Sequence, residues 1–115
     1  IFYTQDESPD MPEWLRDFVQ KLNNINFGND FKLSYIYSYS NYSQTTLCRE
    51  FKKYTGKTLV SYVNDLKLNY CCNLLQNTSL PLWKIANSVG FYSQAHFTRL
   101  FKEKYGITPL QYRKN

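Results

Sequence analysis

The chain has 115 residues, with 14 Lys+Arg against 9 Asp+Glu and a formal net charge of +5. That length holds one domain or two very small ones, and no apolar run approaches the roughly 20 residues of a membrane-spanning helix. Four Gly and four Pro argue against a many-turned β sandwich and against disorder, and no basic segment followed by an apolar one opens the chain, so no retained signal peptide is expected.

Residues 1–11 are polar and acidic, contain Pro9, and start at Ile1 rather than Met. They read as the end of a linker from an upstream domain of a longer chain. The first helix is expected from about Met11 to Asn26. Asp10 and Glu13 stand at the spacing of a capping box, Leu15, Phe18, Val19 and Leu22 share one face, and Gly28 stops the helix in a left-handed conformation. Phe31 to Tyr39 is a short amphipathic segment with Leu33 and Ile36 inward. Ser43 caps a helix to about Tyr54 with Leu47, Phe51 and Tyr54 on one side, and Gly56 ends it. Thr58 caps a longer helix, Leu59 to Gln76, whose apolar stripe is Leu59, Val63, Leu66, Tyr70 and Leu74, supported by Tyr62, Cys71 and Leu75. Ser79 is expected to cap the next, with Pro81 in its first turn, where the missing N–H costs nothing; it ends at Val89-Gly90. Ser93 caps another to about Tyr105, with Phe97, Leu100 and Phe101 inward. Gly106 ends it, and Thr108-Pro109 opens a last short helix. The result is all-α: seven helices and no strand.

Sliding the chain against itself reveals a repeat. At an offset of 50, residues 42–62 match 92–112 with nine identities: Tyr42/Tyr92, Ser43/Ser93, Gln44/Gln94, Arg49/Arg99, Phe51/Phe101, Lys52/Lys102, Gly56/Gly106, Thr58/Thr108 and Tyr62/Tyr112. Each copy is a short helix, a tight turn and a capped second helix, which is the helix-turn-helix plan. Asn41 and Gly90 stand where the turns call for a left-handed residue. The expected organisation is a first helix-turn-helix subdomain over 12–58, a linker helix over 59–76 and a second subdomain over 77–115.

A wheel of the second helix of each copy separates a core side, 47/97, 51/101 and 50/100 (Leu/Phe, Phe/Phe and Glu/Leu), from an outer side. The outer side holds Gln44/Gln94, Thr45/Ala95, Cys48/Thr98, Arg49/Arg99 and Lys52/Lys102, with no acid in either copy. Gln makes two hydrogen bonds with adenine and Arg two with guanine at major-groove edges, while Lys suits phosphate. Charge agrees: residues 1–30 carry six acids and two bases, and residues 31–115 carry twelve bases and three acids. A basic body behind an acidic leader is the asymmetry of a polyanion binder. The competing reading is a basic helical module docking an acidic protein.

Val89-Gly90-Phe91, Ser93, Phe97, Arg99, Phe101-Lys102, Gly106-Ile107-Thr108-Pro109 and Tyr112-Arg113, with Ile85-Ala86 before them, resemble the C-terminal signature of the AraC/XylS family. The resemblance covers about residues 31–113. It implies a homeodomain-like, all-helical DNA-binding domain with two helix-turn-helix subdomains joined by a long helix. It further implies a bacterial cytoplasmic transcription regulator at the nucleoid, most often an activator, working with RNA polymerase behind a sensor or dimerisation domain. By resemblance, Gln44, Thr45, Cys48 and Arg49 read bases in the first unit, and Gln94, Ala95, His96 and Arg99 in the second. Ser43, Lys52, Ser93 and Lys102 are expected on phosphates of double-stranded DNA with two half-sites about one helical turn apart. Tyr37 stands where the family usually carries a small residue, so the first helix pair is expected to sit further apart. Thr45 and Cys48 are short, so the first unit is expected to be the less specific.

Other chemistry finds little support. His96 is the only His and has no carboxylate or Cys at ligand spacing, so no metal is expected. Cys71 and Cys72 point about 100° apart on a helix and read as core and flank, in a reducing compartment. No Ser/His/acid set, Cys/His pair or Gly-rich phosphate loop is present, so neither catalysis nor a cofactor is expected. Trp14 and Trp83 read as core or helix-packing residues, and the eleven Tyr mostly as core or interface.

Overall fold

A computed structural model of the chain describes residues 10–27 and 31–114. The readings of residues 1–9 as a linker end and of Gly28 as a helix stop lie outside them. Seven helices appear in order: α1 (Glu13–Asn23), α2 (Ser34–Tyr37), α3 (Gln44–Thr55), α4 (Leu59–Asn77), α5 (Leu82–Ser88), α6 (Gln94–Tyr105) and α7 (Pro109–Lys114). Among the described residues there is no strand, and no helix is long and apolar enough to cross a membrane.

Two expected caps are replaced by prolines. α1 starts two residues late, with Pro12 rather than Asp10 at its N-cap, and the Pro12 carbonyl accepts from the amides of Leu15 and Arg16. A proline restricts the residue before it to extended backbone, so the helix cannot begin at Met11. α5 likewise starts at Leu82 with Pro81 extended at its N-cap and no side-chain cap, so Ser79 does not cap it. The other caps form as expected. Ser43 accepts from the Thr46 amide and Ser93 from that of His96. Thr58 accepts from Ser61. Thr108 and Gln111 bond each other's amides in a complete capping box at α7.

Packing divides the chain into two units. The first holds the described residues up to Asn26 and Leu33–Leu66; the second holds the described residues among 27–32 and from Lys67 onward. The division runs through α4, between Leu66 and Lys67, rather than at its ends. The buried face of α4 explains this. Leu59, Tyr62, Val63 and Leu66 are buried along its first half, and Lys67, Leu68, Cys71 and Leu75 along its second. Tyr70 and Leu74, expected to continue the stripe, are only half-buried. At 100° per residue the second set lies on a different side of the helix from the first.

In the first unit, Leu15, Phe18, Val19 and Leu22 of α1 are buried together with Ile36, Leu47 and Phe51. Phe51 meets Phe18 edge-on at 6.3 Å and Tyr62 at 5.3 Å. The Tyr62 hydroxyl donates to Asn23 Oδ1 at 2.6 Å, which removes the cost of burying it. Leu33 is half-buried, unlike Ile36. In the second unit, Ile85, Ala86 and Val89 of the α5 region are buried with Phe91, Phe97 and Phe101. Lys67 is buried too, its ammonium 5.3 Å from the Phe31 ring centre and 5.2 Å from that of Phe91. The two ring faces partly replace the water it has lost, and burial still holds its pKa below the usual lysine range. The Arg113 guanidinium donates to the carbonyls of Leu75, Thr78 and Leu80 at 3.1, 3.3 and 2.7 Å. It thereby pins α7 to the end of α4, where helical carbonyls lack intrahelical partners.

Candidate nucleic-acid interface

The two helix-turn-helix pairs are α2–α3 and α5–α6. The second turn spans residues 89–93. There Gly90 sits at φ 81°, its amide bonded to the Asn87 carbonyl and that of Phe91 to the Ala86 carbonyl. The first turn, residues 38–43, is one residue longer and has no glycine. Serines satisfy it instead: Ser38 Oγ donates to the Tyr35 carbonyl, and Ser40 Oγ accepts from the Tyr42 amide. The Tyr39 amide bonds to the Ile36 carbonyl there.

Beyond these turns, α3 and α6 are built alike. Both have 12 residues, a serine N-cap in extended backbone and a left-handed glycine C-cap, Gly56 or Gly106. Leu47 and Phe51 bury one side of α3, Phe97 and Phe101 that of α6. Burial of those pairs turns the outer side to solvent, where Gln44, Thr45, Arg49 and Lys52 are exposed on α3, and Gln94, Ala95, Arg99 and Lys102 on α6. Both arginines rest on neighbouring carboxylates. Arg49 Nε is 3.4 Å from Glu50, and Arg99 Nη1 is 3.5 Å from Glu103, with both arginine side chains more than half exposed. Exposed pairs of this kind contribute about 0–1 kcal/mol, so either guanidinium is readily exchanged to another acceptor.

Two expected site residues are drawn partly inward. Cys48 is half-buried and hydrogen-bonds Tyr37, whose pKa is raised first by burial and then by that thiol. His96 is half-buried, edge-on to Phe91 at 5.8 Å, with its Nδ1 buried and unpartnered among the described residues. Three aromatics beside the helices were not legible as surface residues. Trp83, expected as a core or helix-packing residue, is 58% exposed, and Tyr92 is 93% exposed. Trp14 is half-buried and stacks on Tyr42 at 4.1 Å. Trp83 stands at a helical apolar spacing from Ala86, and only the placement of the rest of the unit shows that the described residues leave it mostly exposed.

Charge follows the units. The described residues of the second hold eight bases (Lys32, Lys67, Lys84, Arg99, Lys102, Lys104, Arg113 and Lys114) and one acid, Glu103; those of the first hold six bases and five acids. Among the described residues the net positive charge is therefore concentrated in the second unit.

A family model described as a helix-turn-helix domain matches residues 37–115. "Probable transcription factor PqrA" of Proteus vulgaris is 36% identical over 106 residues, covering 92% of this chain and 82% of PqrA. An AraC-type transcriptional regulator of Chromobacterium violaceum superposes with a TM-score of 0.71 at 30% identity, covering 87% of this chain and 88% of that one. The C-terminal domain of AraT, a response regulator of Geobacillus stearothermophilus, superposes with a TM-score of 0.74 at 27% identity, over 91% and 87% of the two chains. These likenesses decide between the two readings of the basic face, and the acidic-protein module is set aside. The chain belongs to the AraC/XylS family of helix-turn-helix transcription regulators and binds DNA.

Proposed function

We propose that α3 and α6 each lie in a major groove of double-stranded DNA. Gln44, Thr45, Cys48 and Arg49 read base edges from α3, and Gln94, Ala95, His96 and Arg99 from α6. Ser43, Lys52, Ser93 and Lys102 hold phosphates. The observation that carries this reading is the recurrence of an exposed Gln, Arg and Lys at the same positions of two Ser-capped helices, each following a turn. Gln and Arg pair bidentately with adenine and guanine, and Lys serves phosphate as a point charge. The two half-sites lie about one helical turn, roughly 34 Å, apart. The regulator acts by binding rather than catalysis, and it activates transcription with RNA polymerase in the bacterial cytoplasm, behind a sensor or dimerisation domain. Thr45 is short and Cys48 is engaged by Tyr37, so α6 contributes more of the specificity.

Selection of bound duplexes from a random pool, followed by affinity measurements on single-base variants, tests this. Between ~50 and ~200 mM salt the selected duplex should lose orders of magnitude in affinity. Arg99→Ala should cost about 1–3 kcal/mol at one base pair and relax preference there. Lys102→Ala should weaken all sequences alike and lower the salt slope by about 1. A pool with no enriched sequence overturns the reading, and an equal loss for Arg99→Ala on every sequence demotes Arg99 to a phosphate contact.

A further inference from the structure

We propose that Trp83 and Tyr92 form a further DNA-contacting surface beside α6, which seats the sugar–phosphate backbone of the strand flanking the bases that α6 reads. The inference rests on α6 lying in a major groove.

Tyr92 repeats Tyr42, each one residue before a serine cap. In the first unit the ring at this position is stacked on Trp14 and 47% exposed. In the second unit no described aromatic ring or hydrogen-bond partner meets Tyr92, and it is 93% exposed. Trp83 faces the same hollow, of about 210 Å³, which Asn87, Ser93 and Gln94 also line. Two large exposed rings on one small hollow are costly in water and mark a surface that something covers.

Chemistry and position identify the occupant. The hollow is continuous with the proposed DNA-contacting side of α6, because Gln94, proposed on a base, and the cap Ser93, proposed on a phosphate, both line it. No acid lines it, and Lys84 beside Trp83 is exposed. Its polar groups include several donors: the Tyr92 hydroxyl, the Trp83 indole N–H and the Asn87 amide. Donors of this type hold phosphate oxygens and fix register without reading sequence, while the ring faces pack against deoxyribose. In the first unit Tyr42 is already held by Trp14, so the extra contact belongs to the second unit.

The test uses the duplex that the native chain enriches from a random pool. Tyr92→Ala and Trp83→Ala should each lower affinity by about tenfold, the scale of losing a hydrogen bond to a charged group. The loss should be the same for every single-base variant of that duplex, and the salt slope should not change, because no charge is removed. Tyr92→Phe should recover part of the loss. Melting temperatures should stay at the native value, since both side chains are mostly exposed. In ethylation interference, one phosphate flanking the α6 half-site should cease to matter in Tyr92→Ala. If both alanine variants bind within about twofold of native with an unchanged interference pattern, while Arg99→Ala still loses its base preference, this surface is no DNA contact and only the present proposal falls. If the native chain enriches no duplex, the base-reading proposal falls with it. If Tyr92→Ala binds DNA normally but fails to drive a reporter, a protein covers the surface and the proposal is wrong.

Discussion

Cys71 and Cys72 are neighbours in sequence, yet they meet different surroundings. Cys71 is fully buried, and burial, reinforced by Cys72, pushes its thiol up to about 12. The thiolate is the reactive form, so Cys71 should be inert in the folded chain. Titration with a disulfide reagent at pH 8 should label half-buried Cys48 and Cys72 first, with Cys71 reacting only when the chain is unfolded. Equal rates for all three would contradict this burial. The core-and-flank assignment of this pair was legible from the 100° step between adjacent helical residues. The place of Trp83 was not, because an apolar residue at helical spacing reads alike whether or not another element covers it.

At the scale of elements, the second helix-turn-helix is held by two small residues. Gly90 is left-handed, and a Cβ there would meet the Phe31 carbonyl oxygen at 2.7 Å; Gly106 in the same unit has the same φ but open space around it. Gly106→Ala should therefore cost about 1–2 kcal/mol of backbone strain. Gly90→Ala should cost more, roughly 2–3 kcal/mol, because backbone must also move. Urea unfolding of the two variants compares them directly, and equal midpoints would refute the close approach. Ala86 is 1% exposed where α5 packs in its unit. Ala86→Leu should overpack it at roughly 1–3 kcal/mol, and an unchanged melting temperature would show the space to be looser. The serine caps of α3 and α6 were readable because a cap is a local bond, closed within three residues. The starts of α1 and α5 were misread for a local reason too, since Asp10 and Ser79 precede prolines that set where the helix begins.

For the whole molecule, the proposed two-half-site operator makes a spacing prediction. Inserting five base pairs between the half-sites turns one groove through about half a turn of the duplex. Most specific affinity should be lost in a gel-shift titration. Ten added base pairs restore the face but lengthen the gap and should not rescue binding. If the five-base-pair insertion binds as tightly as the parent duplex, either the linker is flexible or only one unit touches bases, and the two-groove reading is wrong. Charge adds an asymmetry at this scale: with eight bases to one acid among its described residues, the second unit should carry the larger share of the salt dependence.

Sequence by itself determined the seven helices, the repeat, the glycine exits, the family and the outer side of each recognition helix. All of these rest on interactions within a few residues or on identity at a fixed offset. Tertiary structure alone decided which side of α4 is buried along each half, because burial depends on what packs there and not on the periodicity of one helix. It decided that Lys67 is buried between two phenyl rings and that Arg113 closes the end of α4. It also decided that Tyr42 has a stacking partner while its repeat, Tyr92, has none among the described residues. Each of these depends on residues distant in the chain, which no local pattern can bring together.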